Sequence, residues 1–455
     1  MTSKDNNNSE EADRLSSLPD PILIDILSKI PLDTAIGTTL LSRRWQHLWT
    51  QITTLNVNID FISTHSSKFW NGLNEILPQM MIHTCTINII WPSSVPLSST
   101  SPYFPQISHR SNIKELKVLS KGYAHRWLRS LPSINCLFLI SSLVNLELTG
   151  VFHFHWSFRE KCENEINLPN LKVLKICILH HQWPLLGKLI KSCPSLDDFS
   201  LDVDYTKRGS LFGSINLSSL NLKRLQVILS QNVYANIEID APKLEYLNVN
   251  SRHGSTFYFM NKSNPIMLTQ VDISDANAFH ATMFDNIYQV FRNVRFLLLD
   301  RYEEFKELLV FLELCPVLEV LTLNLMTSSF AESKIEFPPN STPKACMLTH
   351  LKRVEMNMPL RILLEKEDEL INVVKYLLSN ACVLECLIVM VTGSGGSGSE
   401  FTEDEQRCES RLCEKLFQCR RKSSVCQVEY FCFGRTRKTS DNGIGRDLIT
   451  EASSI

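Results

Sequence analysis

"NLKRLQVILSQNVYANIEIDAPKLEYLNV", residues 221–249, carries one spacing twice. Leu222, Leu225 and Val227 follow L-x-x-L-x-L, and Leu244, Leu247 and Val249 follow it again, 22 residues on (Leu222 to Leu244). Alternation at the last two positions of each set puts both side chains on one face of a short strand. The link between the sets is polar and short, so a helix does not fit there.

The same spacing extends in both directions, with Ile, Val or Phe allowed for Leu. Further sets start at Ile113, Leu143, Leu171 and Leu196 upstream, and at Leu268, Val294, Leu318, Leu351 and Leu384 downstream. Successive starts lie 22 (Leu222 to Leu244) to 33 (Leu318 to Leu351) residues apart, close to the leucine-rich period. The expected fold class is α/β: an irregular solenoid with a curved parallel sheet on one side and helices and loops on the outer side. Three segments, "WPLLGKLIKSCPSLDDFSL", "EEFKELLVFLELCPVLEVLTL" and "ELINVVKYLLSNACVLECLIV", read as helix, tight corner, then strand. A doubly wound sheet would need helices at most crossovers, and about half the connections are too short or polar for one. The Asn that regular repeats place after the last strand residue is mostly missing. Less uniform satisfaction of backbone groups in the turns is therefore expected.

Before the repeats, residues 16–51 read "SSLPDPILIDILSKIPLDTAIGTTLLSRRWQHLWTQ". Asp20-Pro21 is a helix start, with Asp as cap and Pro in the first turn. Leu23, Ile26, Leu27 and Ile30 follow at helical spacing, and Pro31 stops that helix. Asp33 offers a second cap for a longer helix to about Trp49, weakened at Gly37. So few residues carry more apolar side chain than they can hide. Either they pack on the rest of the chain, or they leave part of their surface for another protein.

This stretch resembles a plant-type F-box. The resemblance rests on Leu18-Pro19-Asp20, Ile26-Leu27-Ser28, Ile30-Pro31, and Leu41-Ser42-Arg43-Arg44-Trp45 followed by Leu48-Trp49. It implies binding to the SKP-type adaptor of a cullin–RING ubiquitin ligase. The implied adaptor-binding residues are Leu18, Pro19, Ile22, Leu23, Ile26, Leu27, Ile30, Pro31, Leu41, Trp45, Leu48 and Trp49. Further along, Leu351-Lys352-Arg353-Val354-Glu355, Val374-Lys375-Tyr376-Leu377-Leu378, Asn380-Ala381 and Val383-Leu384-Glu385 resemble the FBD region that ends many plant F-box/leucine-rich-repeat proteins. The Gly-containing turn usual after the first FBD strand is replaced by "NMPLRILLEKED", and "RRKSSVCQVEYF" is similar to that region's closing strand.

The expected organisation is a disordered polar tail (1–14), an F-box (15–55), leucine-rich repeats (56–345), FBD-like terminal repeats (346–433) and a second disordered tail (434–455). A flexible Gly/Ser loop is expected at 392–406.

Lys+Arg is 46 and Asp+Glu 48 in 455 residues, giving a net charge of −2. That balance excludes a general phosphate-backbone binder, and no nucleic-acid partner is expected. With no secretory h-region and no run of about 18 apolar residues, no membrane partner is expected either. The 14 Cys then read as reduced thiols in a cytoplasmic or nuclear protein. Cys408, Cys413, Cys419, Cys426 and Cys432 lack zinc-site spacing. "GSGGSG" (393–398) satisfies G-x-G-x-x-G but sits in low complexity without a first βαβ unit. His153 with His155, and His180 with His181, lack a third metal ligand nearby. "CRRKSS" (419–424) reads as a solvated basic loop. No catalytic motif is present, and no catalytic residue, cofactor or metal is assigned.

The resemblances imply a non-catalytic substrate receptor: the F-box holds the adaptor and the repeats hold a target protein. The alternatives are a non-ligase binding scaffold of the same fold and a small-molecule-gated receptor, with an enzyme last.

Overall fold

The computed structural model describes residue 15 and residues 17–60, 80–90, 112–121, 135–150, 166–179, 184–204, 211–230, 233–251, 255–260, 267–274, 287–302, 308–325, 343–392, 403–432 and 435–438. Two compact units emerge: residues 1–178 with 192–196, and residues 179–191 with 197–455.

In the first unit, helices α1 (Asp20–Lys29) and α2 (Leu32–Gly37) lead into 3-10 turns at Thr38–Leu40 and Trp45–Gln51. Five parallel strands follow in sequence order: β1 (Thr54–Asp60), β2 (Thr84–Ile90), β3 (Glu115–Lys121), β4 (Asn145–Thr149) and β5 (Val173–Leu179). The repeat array starts earlier than its sequence pattern announces. Ile52-Leu55-Val57 and Ile82-Cys85-Ile87 are full repeats with all six side chains buried. Cys85 in the second set, with Ile rather than Leu around it, hides the pattern.

In the second unit, β6 (Asp198–Asp204), β8 (Arg224–Leu229), β10 (Tyr246–Ser251), β12 (Gln270–Ser274), β13 (Phe296–Tyr302), β14 (Val320–Leu325), β15 (Arg353–Pro359), β16 (Cys386–Thr392) and β17 (Gln427–Cys432) are parallel neighbours in that order. Every L-x-x-L-x-L residue from Ile113 to Val389 is buried, as the spacing predicts. The three predicted helices form as α3 (Pro184–Lys191), α5 (Leu308–Leu314) and α7 (Leu360–Asn380), joined by α4 (Ile287–Phe291), α6 (Ala345–Thr349) and α8 (Glu403–Gln418).

Between β6 and β12 the outer side departs from the expected helices and loops. There β7 (Leu211–Ser218), β9 (Val233–Asp240) and β11 (Thr256–Phe259) form a second parallel sheet. Their alternate residues, Ile215, Leu217, Val233, Ala235, Ile237, Ile239, Phe257 and Phe259, are buried. The segments that return here alternate apolar and polar residues, as in "VYANIEID", and so form strands rather than helices. Helix α3 lies against β7.

Most of the turns after the strands, where less uniform backbone satisfaction was expected, lie outside the described residues, but the strand starts are regular. The carbonyl after each repeat's first apolar residue accepts two amides from the next repeat. Lys223 O takes Glu245 N at 2.9 Å and Tyr246 N at 3.0 Å, and Glu245 O takes Thr269 N and Gln270 N. The same fork recurs at Thr53, His83, Lys114, Val144, Asp197, Thr269, Arg295, Glu319 and Lys352. This fork, made by backbone alone, aligns the strand starts without the missing Asn.

Where "NMPLRILLEKED" replaces the usual Gly-containing turn, α7 begins at Leu360 directly after β15, with Pro359 as its N-cap residue. Two other readings shift. Residues 403–406, expected to be in the flexible loop, are helical in α8, while 393–402, including "GSGGSG", lie outside the described residues. Arg435–Lys438, expected in a disordered tail, form β18, antiparallel to β17. "HFHWS" and His180-His181 also lie outside the described residues.

Candidate functional site

The F-box-like stretch is built from the inside out. Pro19 sets the entry to α1, and Asp20 is its first residue. No side chain caps α1 or α2, so the cap roles expected of Asp20 and Asp33 are not filled. Asp20 instead receives Arg44: Nε at 2.8 Å and Nη2 at 2.5 Å, with Nη2 also 2.5 Å from Leu18 O. One guanidinium thus ties the Leu18-Pro19 entry to the loop before Trp45, a geometry suited to its fixed fork of donors. The sequence marked Arg44 only as a polar position.

The single long helix expected from Asp33 to Trp49 does not form. Helix α2 ends at Gly37, and the chain turns through Thr38–Leu40 before a second 3-10 segment begins at Trp45. The break swings Trp45, Leu48 and Trp49 back against α1.

The twelve residues implied by the resemblance divide in two. Leu23, Leu27, Trp45, Leu48 and Trp49 are buried within the chain, as are Leu32, Ala35 and Ile52. Helices α1 and α2 pack on β1, whose Leu55 and Val57 are buried. These five side chains therefore hold the F-box together and seat it on the first repeat. A side chain already closed off from water has no surface to offer, so these five are core residues of the stretch.

The others stand outside or at the edge. Pro19 is exposed, and Leu18, Ile26, Ile30 and Pro31 are half-buried. Ile22 is 47% exposed and Leu41 65%. Two apolar residues outside the implied set join them: Leu15 at 53% and Leu40 at 91%. On the continuous helix expected to Trp49, Leu40 reads as one of the apolar positions; the break after Gly37 leaves it outside.

No comparable chemistry competes elsewhere. Among the described residues, no group of three or more His, Cys, Asp or Glu side chains could hold a metal ion. The described cysteines are free thiols. Burial pushes the Cys193 and Cys346 thiols up to about 12, and raises Cys315, Cys408 and Cys419 as well. Such thiols stay protonated and unreactive near neutrality. No described helix is long and apolar enough to cross a membrane.

Comparison with known proteins agrees with this layout. The F-box domain model matches residues 15–53, and the FBD model matches 338–389. The model described as "FBD-associated F-box protein At5g56370, LRR repeats" matches residues 104–260. None of the three is the model of a catalytic domain. The chain is 24% identical to the Arabidopsis thaliana FBD-associated F-box protein At4g13985, covering 92% of this chain and 96% of that one. It is 24% identical to F-box/FBD/LRR-repeat protein At2g26030, over 87% and 98% of the two chains. It is 26% identical to F-box/LRR-repeat protein 13 over 85% and 91%, both again from Arabidopsis thaliana. Along the chain the matches run F-box, leucine-rich repeats, FBD, the three kinds of region that its relatives' names mention.

Proposed function

We propose that this F-box/FBD/LRR-repeat chain is the substrate-recognition subunit of an SCF-type ubiquitin ligase. Its F-box docks a SKP-family adaptor, and through it a cullin–RING ligase, while the repeats bind a target protein. The chain itself does no chemistry: transfer is accelerated by holding the target near a recruited enzyme. It works in the cytoplasm or nucleus, where the rest of the ligase would have to be present.

The observation that carries this reading is the surplus of apolar surface on a closed F-box. With the core already complete, Leu15, Ile22, Leu40 and Leu41 still face outward. Covering one such side chain contributes roughly 1.5–3 kcal/mol, so a few of them suffice for a stable protein contact. One set of side chains packs on β1, and the exposed set supports the reading that a partner covers it.

The test is co-purification of the full chain with a plant SKP-family adaptor, comparing the parent with Ile22→Asp and Leu41→Asp. Both substitutions fall on exposed positions, so the variants should fold and lose the adaptor. Retention of the adaptor by both folded variants would favour the non-ligase scaffold.

A further inference from the structure

The outward apolar side chains of the F-box stand on two separate stretches. Leu15 lies before α1 and Ile22 in its first turn, whereas Leu40 and Leu41 lie in the break after α2. Each stretch is held by short-range bonds. The Leu18 N–H donates to Leu15 O at 3.1 Å, and the Ile22 N–H to Pro19 O at 3.0 Å. On the other stretch, the Leu41 N–H donates to Thr38 O at 2.9 Å, and the Thr38 hydroxyl to Ala35 O at 2.6 Å. Bonds between such near neighbours fix each stretch, but not the spacing between the two.

Arg44 spans that spacing. It stands three residues after Leu41, and its fork reaches back to the other stretch. Nε meets Asp20 Oδ1 at 2.8 Å, and Nη2 meets both Asp20 Oδ1 and Leu18 O at 2.5 Å. One planar group thus holds the first residue of α1 and the main chain that enters it, 24 and 26 positions back in sequence. A Lys here would be a point charge on a flexible stem, unable to fix both partners in one orientation.

The clasp is open to water: the Arg44 side chain is 38% exposed and that of Asp20 54%. Exposed ion pairs add little to stability, and Leu23, Leu27, Trp45 and Leu48 close the F-box core beneath it. The clasp is therefore poorly placed to hold up the fold and well placed to hold two surface stretches in register. Side chains already set in their bound arrangement spare a complex the cost of ordering them on contact.

We propose that Arg44 is a positioning residue for adaptor docking. Its hold on Asp20 and Leu18 sets the Leu15 and Ile22 pair against the Leu40 and Leu41 pair, so that one apolar surface of the adaptor covers both. The proposal rests on the reading of the F-box as the adaptor site and makes that site composite, with its two halves joined by one guanidinium.

The test measures the affinity of the full chain for a plant SKP-family adaptor, with a denaturation midpoint taken for every variant. Arg44→Gln should weaken the adaptor about tenfold, as expected when one or two contact side chains must be ordered on binding. Its midpoint should hardly move. Arg44→Lys should recover only part of the affinity. Asp20→Asn should weaken binding too, and the Asp20→Asn/Arg44→Gln double variant should lose no more than Arg44→Gln alone, because the two side chains act as one unit. Lys29→Gln, which removes an ion pair to Asp25 one turn away on α1, should leave affinity unchanged. Hydrogen exchange on the free chain reads the positioning directly: in Arg44→Gln the Leu18 and Leu41 amides should exchange faster, and that of Leu27 should not. Parent-like adaptor affinity in Arg44→Gln would overturn the proposal. So would multiplied losses in the double variant, a fall in midpoint that parallels the loss of affinity, or an equal loss in Lys29→Gln. A parent that binds the adaptor as tightly as its Arg44→Gln variant overturns the clasp alone. A parent that does not bind the adaptor overturns the ligase reading and the clasp's docking role with it.

Discussion

Ile22 and Leu27 lie five positions apart on one helix, yet one faces out and the other is closed inside. Their substitutions should therefore fail differently. Ile22→Asp changes stability by no more than about 0.5 kcal/mol, the usual range for surface sites, and acts on adaptor binding. Leu27→Asp puts an unpartnered carboxylate into the F-box core and costs several kcal/mol, about 3 or more. Chemical denaturation checks this: Leu27→Asp should shift the midpoint strongly and Ile22→Asp hardly at all. Glycines show the same dependence on surroundings. Gly150 has φ +103°, and a Cβ there would sit 2.3 Å from Ser120 O, so Gly150→Ala should destabilise by roughly 2 kcal/mol or more. Gly37 is in the right-handed helical region and a Cβ would meet nothing within 4 Å, so Gly37→Ala should stabilise by about 0.4–1 kcal/mol. Thermal melts of the two variants should move in opposite directions. Buried thiols give a third residue-scale expectation. With folded values of about 12 against 9.0 for the free group, Cys193 and Cys346 should resist alkylation at pH 8 until denaturant is added. The folded values are raised, so this contribution to stability is full below pH 9 and is lost between pH 9 and 12, as the unfolded thiols ionise first.

Return paths in this protein are set by side-chain pattern rather than by repeat length. In "EEFKELLVFLELCPVLEVLTL" the apolar residues recur at helical spacing, and α5 buries Leu308, Phe311, Leu312 and Leu314. Between Leu222 and Leu244, "VYANIEID" alternates, and the return path is β9. The outer sheet is as closed as the main one: Phe257 on β11 is fully buried. Phe257→Ala should therefore cost about 3–5 kcal/mol, measured by urea denaturation of the parent and variant. A near-neutral result would mean that β11 does not pack as described. Had the 252–260 segment been a solvated connection, as its polar start in the sequence indicates, no such cost would arise.

The whole molecule joins its F-box to its repeats through packing as well as through sequence. Helices α1 and α2 lie on β1, and among the described strands β1 pairs only with β2. Removing residues 1–53 would strip the cover from Leu55 and Val57 and bare the first strand's edge. Exposed strand edges next to apolar surface promote aggregation. The truncated chain should elute largely as aggregate in size-exclusion chromatography, whereas Leu41→Asp should elute as the parent does. A soluble, monomeric truncation would show that the F-box is an independent module. For this reason point variants on the exposed F-box surface are a cleaner probe of adaptor binding than deletion.

The sequence by itself determined the repeat array from Ile113 onward and the helices before β6, β14 and β16, while the F-box and FBD region were legible as resemblances to known families. The array follows from local periodicity: an apolar spacing of L-x-x-L-x-L has one satisfactory outcome, a strand with two side chains on the core face. Only the tertiary structure decided which F-box side chains are core and which are surface. Helical spacing marks one apolar side of a helix but cannot say how much of it a neighbour covers, and here β1 and the returning Trp45 segment cover Leu23 and Leu27 and leave Ile22 outside. The outer sheet was invisible for the same reason. "VYANIEID" alternates as a strand should, but its apolar side is meaningful only with β7 and β11 stacked beside it. The hydrogen bonds from Asn324 to Asp300 and from Asn357 to Asn324 join residues 24 and 33 positions apart in sequence, and parallel register alone brings them into one line.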